Sequence, residues 1–591
     1  MRQLGLLQLL RLCGITLLGF AISASPLAQA QSPSANTAAK TAYDAGMDAI
    51  RAGNLTKAEA ELNKAAKLDP KNAEVHLALG KVLLHEGDLA GASQHFLKVI
   101  QLKPGNAQAH FYMGQILSMG GQWDEAIKQL SEASRLAPKD ADPHRAMARA
   151  YNSQEKNAEA LAEARTAVQL APKNAEAHDE LGTLLAHAGQ FPDAEKEFEA
   201  ALAINSQLQS ARFHLGVVFL NTGNAAAAQR ELSAAAGLDP KDGRAYFYLG
   251  DAEQALGNKD AAIEAYKRAT ELLPPSPAVY TKLGLALQRT TDVEGAAKAF
   301  RHVIELTPED ADAHNNLGLV LMQRGEGEAA VKEFQQALRL RPEDAGFRSN
   351  LGIAYMQLSD FDAAEKNLRE ALKIEPNSAS DHYDLALTLK LKDDLPAAIT
   401  EMHKAIELDP KLVDAYYTLG ITLWQQGEFP ESVQQLKKAI ELKPDYAEAY
   451  YTLGTVLKQM NQLPESAAAL REAIRLQPSF AGAHTTLAAV MRQMGDSAGA
   501  DAESQLGDSL VKQKIGRQGA TFATNSGTRM LDAGDIDGAI SQFRSAIKQS
   551  PDFPLAHYQL AIALSRKGEK QEASAEFKRA AELDPKLSVQ Q

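Results

Sequence analysis

The sequence predicts an all-α protein, an α-solenoid of about sixteen helix–turn–helix units with 34 residues each. Two observations support this prediction. Prolines recur in one register at 34-residue intervals, and the phrase AYYTLG begins at Ala415 and again at Ala449. Self-similarity at a fixed interval of about 20–50 residues indicates a repeat architecture. The prolines in register are Pro70, Pro104, Pro138, Pro172, Pro240, Pro274, Pro308, Pro342, Pro376, Pro410, Pro444 and Pro478.

Residues 413–446 show what one unit contains. Its first half places apolar residues such as Leu419 and Leu423 at helical spacing. Gly427 follows and suits the left-handed residue that ends a helix. A second apolar stripe then runs to Pro444, and the residue before a proline avoids helical geometry. Each unit is therefore predicted to be two antiparallel helices joined by a tight turn.

The core of the units is predicted from the residues that recur at fixed positions. With Ala39 as position 1, position 8 is glycine in twelve of sixteen units and alanine in four. Position 20 is alanine in fourteen units and serine in two, and position 24 is mostly leucine or phenylalanine. Small residues let two helix backbones approach closely, and the large residue fills the remaining space.

The first 30 residues have the pattern of a secretory signal peptide. A positively charged start leads into the apolar run 12–24, which is shorter than the roughly 20 residues that span a bilayer. Ala28 and Ala30 form a small–x–small cleavage site, so the mature chain is expected to begin at Gln31. An uncleaved membrane anchor is the alternative. No later segment is apolar enough to span a membrane, so no span is expected in the mature chain.

Composition narrows the class of partner. The net charge is −13, and removing residues 1–30 takes away two arginines and no acids, giving −13 − 2 = −15. An acidic, well-mixed surface argues against nucleic acid as a partner. The single cysteine, Cys13, lies in the segment expected to be removed, so the mature chain needs no disulfide in an oxidising compartment. An exported protein, in the periplasm or outside the cell, is the expected location.

The repeated positions resemble the tetratricopeptide repeat (TPR) family. One unit carries the pattern as Ala398, Met402, Ala405 and Pro410, and the resemblance extends over residues 39–587. The resemblance implies a right-handed superhelix in which the first helix of each unit lines a concave groove. It also implies that this groove binds peptide or protein segments. We find no catalytic motif and no room for a catalytic domain beside the repeats, so neither an enzyme nor a cofactor is expected.

One unit departs from the pattern. It begins at Ala481, is 39 residues long, lacks the closing proline and contains Gly507, Gly516 and Gly519. We expect its second helix to be long and this unit to be the weakest link of the array. The predicted organisation is signal peptide 1–30, linker 31–38, thirteen regular units 39–480, irregular unit 481–519, two further units 520–587 and tail 588–591.

Histidine recurs at position 4, where a ladder of metal sites is one interpretation. A metal site needs three or four converging ligands, whereas these histidines occur once per unit. Because tyrosine occupies position 4 in other units, a packing ring is the favoured interpretation, and no metal ligand is expected. The eight position-4 histidines are His76, His110, His144, His178, His314, His382, His484 and His557.

The candidate binding residues start from the resemblance, which implies that position 5 faces the groove. Positions 9 and 12 of the same helices extend the stripe, and Gln425 and Gln459 border it. In AYYTLG the first tyrosine, Tyr416 or Tyr450, takes position 4 and is expected to pack between helices. The second, Tyr417 or Tyr451, is rotated by about 100° into the groove. A role as a mere groove filler stays open. The predicted stripe comprises Tyr383, Leu387, Lys390, Tyr417, Ile421, Trp424, Gln425, Tyr451, Thr455, Lys458 and Gln459.

Together these features predict an exported scaffold that binds peptide or protein segments in its groove and supports assembly of envelope protein complexes. The alternative is a non-catalytic regulatory or targeting subunit of an envelope enzyme, such as a glycosyltransferase, or of a secretion assembly.

Overall fold

The computed structural model describes residues 33–587, with side chains from residue 36, and every regular element in this range is helical. The predicted cleavage site at Ala28, Ala30 and Gln31 lies outside the described residues. The helices are α1 Pro33–Arg51, α2 Leu55–Leu68, α3 Ala73–Glu86, α4 Leu89–Leu102, α5 Ala107–Met119, α6 Trp123–Leu136, α7 Asp142–Ser153, α8 Asn157–Leu170, α9 Ala175–His187, α10 Phe191–Ile204, α11 Gln209–Asn221, α12 Ala225–Leu238, α13 Gly243–Ala255, α14 Lys259–Leu272, α15 Pro277–Gln288, α16 Val293–Leu306, α17 Ala311–Gln323, α18 Gly327–Leu340, α19 Ala345–Gln357, α20 Phe361–Ile374, α21 Ala379–Leu391, α22 Leu395–Leu408, α23 Val413–Gln426, α24 Phe429–Leu442, α25 Ala447–Gln459, α26 Leu463–Leu476, α27 Ala481–Gln493, α28 Ser497–Asp532, α29 Ile536–Gln549, α30 Pro554–Lys567 and α31 Lys570–Leu583. A 3₁₀ turn, Pro585–Leu587, follows α31.

Local sequence signals fix where these helices begin and end. The Asn72 side chain caps α3 by accepting hydrogen bonds from the backbone N–H groups of Glu74 and Val75. Gly427 ends α23 with a φ of 87°, a left-handed conformation that favours glycine. Pro430 lies in the first turn of α24, where its missing N–H costs little. The all-α repeat prediction is therefore confirmed.

The glycine at position 8 lies directly against the large side chain at position 24 of the same repeat. A Cβ on Gly318 would stand 2.6 Å from the Phe334 ring, and one on Gly352 would stand 2.8 Å from the Leu368 side chain. Both large side chains are fully buried. In these two repeats a larger residue at position 8 would therefore force the two helices apart or displace the residue at position 24.

The chain divides into two compact units, residues up to Pro275 and residues from Ser276 onwards. In the first, one buried apolar cluster extends over 49–116 and another over 148–252. In the second, clusters extend over 368–423, 436–469 and 531–573, among others. Within each unit the core is thus a series of contacts between neighbouring helices, as expected for a repeat protein.

The position-4 histidines join three parts of the chain rather than acting as plain packing rings. In His382 the Nδ1 atom lies 2.6 Å from a Glu401 carboxylate oxygen on the second helix. Its Nε2 atom lies 3.0 Å from the backbone oxygen of Pro376, which precedes the repeat. The two ring nitrogens thus contact the second helix of the repeat and the loop before its first helix. The same contact of histidine Nδ1 with a glutamate carboxylate occurs at His144–Glu163, His178–Glu197, His314–Glu333, His382–Glu401, His484–Glu503 and His557–Glu576. In the other two repeats His76 faces His95 and His110 faces Gln129.

The irregular segment forms the 36-residue helix α28, which serves as the second helix of one repeat and the first helix of the next. The predicted boundary at 519/520 lies inside it. Its glycines lie where α28 comes closest to neighbouring helices. A Cβ on Gly516 would stand 2.4 Å from the backbone oxygen of Gln549 in α29, and one on Gly507 would stand 2.8 Å from the Thr485 hydroxyl in α27. Glycine here lets α28 pack closely against two different helices.

Residues 508–519 in the middle of α28 contain no buried residue. We therefore expect amide hydrogen exchange there to be faster than at either end of α28, because exchange follows local opening and few apolar contacts oppose it. Hydrogen-exchange mass spectrometry on peptides from α28 measures this, with segment 520–531, which contains five buried residues, as the internal reference. Equal protection along the whole helix would contradict the expectation.

Candidate functional site

The predicted stripe lies on α21, α23 and α25, the first helices of three consecutive repeats in the second compact unit. Of its eleven residues, nine are half-buried and two, Gln425 and Gln459, are exposed. Half-buried side chains on successive first helices are held in place by the fold and still present surface to solvent. Whether they bind a partner stays a prediction.

Two of the predicted tyrosines form tilted ring contacts with aromatic residues that precede the next first helix. The Tyr417 and Tyr446 ring centroids are 4.8 Å apart, and those of Tyr451 and Phe480 are 4.7 Å apart. Tyr446 and Phe480 both occupy position 34, immediately before a first helix. Each position-5 tyrosine is thus braced by the aromatic residue that leads into the following repeat, which reduces the conformational freedom it would lose on binding.

The first tyrosine of the phrase is more deeply placed, as the sequence predicted. Tyr416 is 8% exposed, whereas Tyr417 beside it is only half-buried. In the second copy the contrast is weaker, since Tyr450 is itself half-buried.

Tyr383, the third predicted tyrosine, contacts the next repeat through its hydroxyl. The Tyr383 hydroxyl lies 3.2 Å from the hydroxyl of Thr418 on α23. Burial raises the pKa of Tyr383, with Thr418 acting in the opposite direction. The phenol therefore stays protonated at neutral pH and retains a hydrogen-bond donor.

This contact belongs to a recurring pattern in which position 5 of one first helix meets position 6 of the next, 35 residues later. In the second unit the Asn350 amide nitrogen donates to the Asn315 side-chain oxygen at 2.8 Å. In the first unit Arg145 donates to the Glu180 carboxylate at 2.8 Å. These pairs show that, within each compact unit, positions 5 and 6 connect neighbouring first helices.

Trp424 and Gln459 link α23 to α25. The indole N–H of Trp424 donates to the Gln459 side-chain oxygen at 2.7 Å. The ring also packs beside the buried cluster that contains Leu453 and Leu457. With its only donor satisfied, Trp424 offers an incoming group mainly the apolar surface of its ring.

Asp384, which the sequence analysis did not single out, is a half-buried carboxyl at position 6 of α21. Burial, aided by the nearby Asp381 carboxylate, raises its pKa to about 6. Burial lowers the pKa of Lys390, which lies six residues after Asp384 in the same helix. No recurring sequence pattern marks Asp384, because threonine occupies the same position in the next two repeats.

Replacing Asp384 with asparagine is expected to stabilise the protein at pH 7 by about 2 kcal/mol. The folded pKa is raised, so the folded state holds a proton that the unfolded chain releases near pH 4. Stability therefore falls as pH rises from about 4 to about 6, and the ionised carboxylate keeps this cost above that range. Melting curves of wild type and Asp384→Asn at pH 7 and at pH 4 measure the difference. A gain equal at both pH values would contradict the assignment, and Asp381→Asn tests the neighbouring carboxylate.

The first compact unit, which ends at Pro275, contains a second concave region among the first helices of its repeats. A cleft of about 640 Å³ lies between α1 and α3 and is lined by residues including Tyr43, Met47, Leu77 and Lys81. The Lys81 ammonium donates to the Gln108 side chain at 3.0 Å, and burial lowers the pKa of this lysine.

Among residues 33–587 no group of three or more histidine, cysteine, aspartate or glutamate side chains is arranged to hold a metal ion. No helix in the same range combines the length and apolar character needed to cross a bilayer.

Family profiles described as "TPR repeat" match residues 386–427 and 422–461. Profiles described as "Tetratricopeptide repeat" match 43–107, 83–150, 145–208, 213–277, 281–345, 321–388, 447–480 and 530–591. The chain belongs to the tetratricopeptide repeat family. TPR proteins bind protein or peptide partners and are typically non-catalytic scaffolds.

Several solved structures are similar to this TPR protein. YrrB, described as a TPR protein with an unusual peptide-binding site, is 26% identical, covers 32% of this chain and 97% of its own, and has a TM-score of 0.29. Cut9–Hcn1 of the APC/C is 15% identical, covers 89% of this chain and 96% of its own, with a TM-score of 0.32. Yeast Tom70 is 18% identical, covers 81% of this chain and 97% of its own, with a TM-score of 0.32. No curated protein sequence matches the chain.

Proposed function

We propose that this TPR protein is an exported scaffold that binds peptide or protein segments along α21, α23 and α25, supporting the assembly of envelope protein complexes. The supporting observation is the row of half-buried aromatic side chains at Tyr383, Tyr417, Trp424 and Tyr451 on consecutive first helices. Tyrosine and tryptophan are the residues most often found at binding hot spots.

The chemistry of the row defines the segment it suits. Tyr417 and Trp424 offer ring surface, and the exposed amides of Gln425 and Gln459 lie at its border. An extended segment with apolar side chains toward the rings and backbone groups toward the amides satisfies both. Because neighbouring repeats brace the rings, little ordering cost remains on binding.

Photo-crosslinking within the full chain tests this location. A photoreactive amino acid at Gln425 or Gln459 is expected to capture a partner from the native host's envelope extract. The same group at Gln434, an exposed glutamine on the second helix α24, is the matched control. Equal capture from all three positions, or capture only from Gln434, would contradict the groove assignment. Recovery of one stoichiometric enzyme would instead favour the regulatory-subunit alternative.

Export is a separate part of the proposal, supported by the charged start, the short apolar run and Ala28 and Ala30. We expect protein isolated from the native host to begin at or near Gln31. N-terminal sequencing and intact-mass measurement check this. A chain that keeps Met1 and fractionates with the cytoplasm would refute it, whereas Met1 retained in the membrane fraction would indicate an uncleaved anchor.

A further inference from the structure

Helix α28 carries an exposed apolar stripe that lies apart from the groove. Val511, Ile515 and Phe522 are 42%, 63% and 72% exposed. Together with Gln518 they are spaced by four, three and four residues, which places all four on one helix face. We call these four residues the α28 stripe. Adjacent exposed apolar side chains on a helix mark an interaction surface more often than isolated ones do.

The stripe is exposed because α28 extends beyond α27, the helix that covers the start of this face. Ala500 and Gly507, which lie on the same face nearer the start of α28, are buried. A Cβ on Gly507 would stand 3.4 Å from the backbone oxygen of Ala481, the first residue of α27. Beyond Gly507 the face continues without α27 against it. The later half of α28 instead buries its opposite face, through residues such as Gly527, which lies against Phe543 of α29.

The surroundings of the stripe are basic, in contrast to the chain as a whole. The chain has 75 acidic and 62 basic residues, yet residues 509–531 contain four lysines and arginines and no carboxylate. Arg517 lies 5.8 Å from the centre of the Phe553 ring. The hydrogen bond from Ser550 lowers the pKa of Asp552, and the charge of Arg517 acts in the same direction. Lys512 and Lys514 are both exposed. Neither takes part in the ion pairs found among the described residues.

We propose that the α28 stripe binds an acidic amphipathic helix of a partner protein. Apolar side chains of that helix pack on Val511, Ile515 and Phe522 at the spacing of a helix–helix contact. Its flanking carboxylates pair with Lys512, Lys514 and the free side of Arg517, which gives charge complementarity and faster association. This surface is separate from the groove and goes beyond the proposed function.

A second copy of the chain fits the stripe less well. The spacing is symmetric about the point between Gly516 and Arg517, so two antiparallel copies would bring Lys514 and Arg517 of one against the same cations of the other. Like charges at a close interface are unfavourable. An anionic membrane fits less well too, because the whole chain carries a net charge of −13.

Binding of two labelled synthetic helical peptides to the full chain tests the proposal by fluorescence anisotropy. One peptide has leucine on one face and glutamate on the other, and its counterpart has lysine in place of glutamate. We expect the glutamate peptide to bind about tenfold or more tightly than the lysine peptide, and added salt to weaken it. Ile515→Ser with Phe522→Ser, and Lys512→Glu with Lys514→Glu, are each expected to lower its affinity about tenfold.

Matched controls separate the stripe from general surface effects. Met119→Ser with Leu391→Ser removes two apolar side chains that are 64% and 55% exposed elsewhere, and it is expected to leave binding unchanged. Circular dichroism checks that each variant keeps its helices. Equal binding of both peptides, or no binding of the glutamate peptide, overturns the proposal. So does a dimer in sedimentation, or binding to phosphatidylglycerol vesicles, that is lost in Ile515→Ser with Phe522→Ser.

Discussion

Replacing Phe334 with alanine is expected to destabilise the repeat formed by α17 and α18 by about 4 kcal/mol. Phe334 is fully buried and lies against Gly318, which has no side chain to fill the space that the ring would leave. Ala330 and Ala337, one turn away on either side, are also fully buried and too small to close the gap. The cost therefore combines the lost apolar burial with a cavity that the helices cannot collapse.

Because repeat arrays open locally, the effect is best measured within the repeat rather than as one unfolding transition of the whole chain. Hydrogen-exchange mass spectrometry on peptides from α17 and α18 reports the opening free energy there. Phe334→Leu is expected to cost about 1 kcal/mol, since leucine fills position 24 in other repeats. Phe522→Ala, at a 72% exposed phenylalanine, is the control and is expected to change protection little. Protection in Phe334→Ala equal to that of the control would contradict the packing account.

The fold could be predicted from sequence because the residues of each repeat indicate where its helices end and how they pack. Gly427 and Pro444 mark two helix ends, and the pairing of a small position 8 with a large position 24 anticipates the contact between Gly318 and Phe334. These signals are local or recur with a fixed period. A repeat fold depends on contacts within a unit and with its neighbours, so a periodic pattern contains most of the information that the fold needs.

Features that depend on contacts between particular residues could not be predicted from the repeating pattern. That Gly516 and Gly519 both allow close approach of α28 to Gln549 could not be predicted from their positions in the sequence. A glutamate recurs at position 23 in the six repeats where it pairs with a position-4 histidine, and it was visible in the sequence. Residues 19 apart become partners only once the two helices are placed side by side, as with His382 and Glu401.

The candidate site was partly predictable for the same reason. The different depths of Tyr416 and Tyr417 follow from the 100° step between adjacent helical residues. The bracing of Tyr417 by Tyr446 depends on how consecutive repeats meet, and the burial of Asp384 depends on its particular neighbours. Neither has a counterpart in every repeat, so no periodic signal marks them.

Replacing Tyr417 and Tyr451 together with alanine is expected to weaken binding of the crosslinked partner segment by about 2–3 kcal/mol, well over tenfold. Each ring is half-buried, braced by the aromatic residue at 4.8 or 4.7 Å, and exposed on its remaining surface. Loss of those two ring contacts is expected to cost only about 1 kcal/mol of local stability each. Titration calorimetry with the segment recovered by crosslinking measures the affinity.

Two further variants separate binding from folding. Tyr417→Phe with Tyr451→Phe keeps the ring surface and is expected to retain most of the affinity, because the ring surface rather than the hydroxyl groups makes the contact. Tyr416→Ala, at a position only 8% exposed, is expected to cost about 3 kcal/mol of local stability through a packing void. If the alanine pair at Tyr417 and Tyr451 destabilises the fold as much as Tyr416→Ala does, those rings belong to the core. If it leaves the affinity unchanged, the partner binds elsewhere on the molecule.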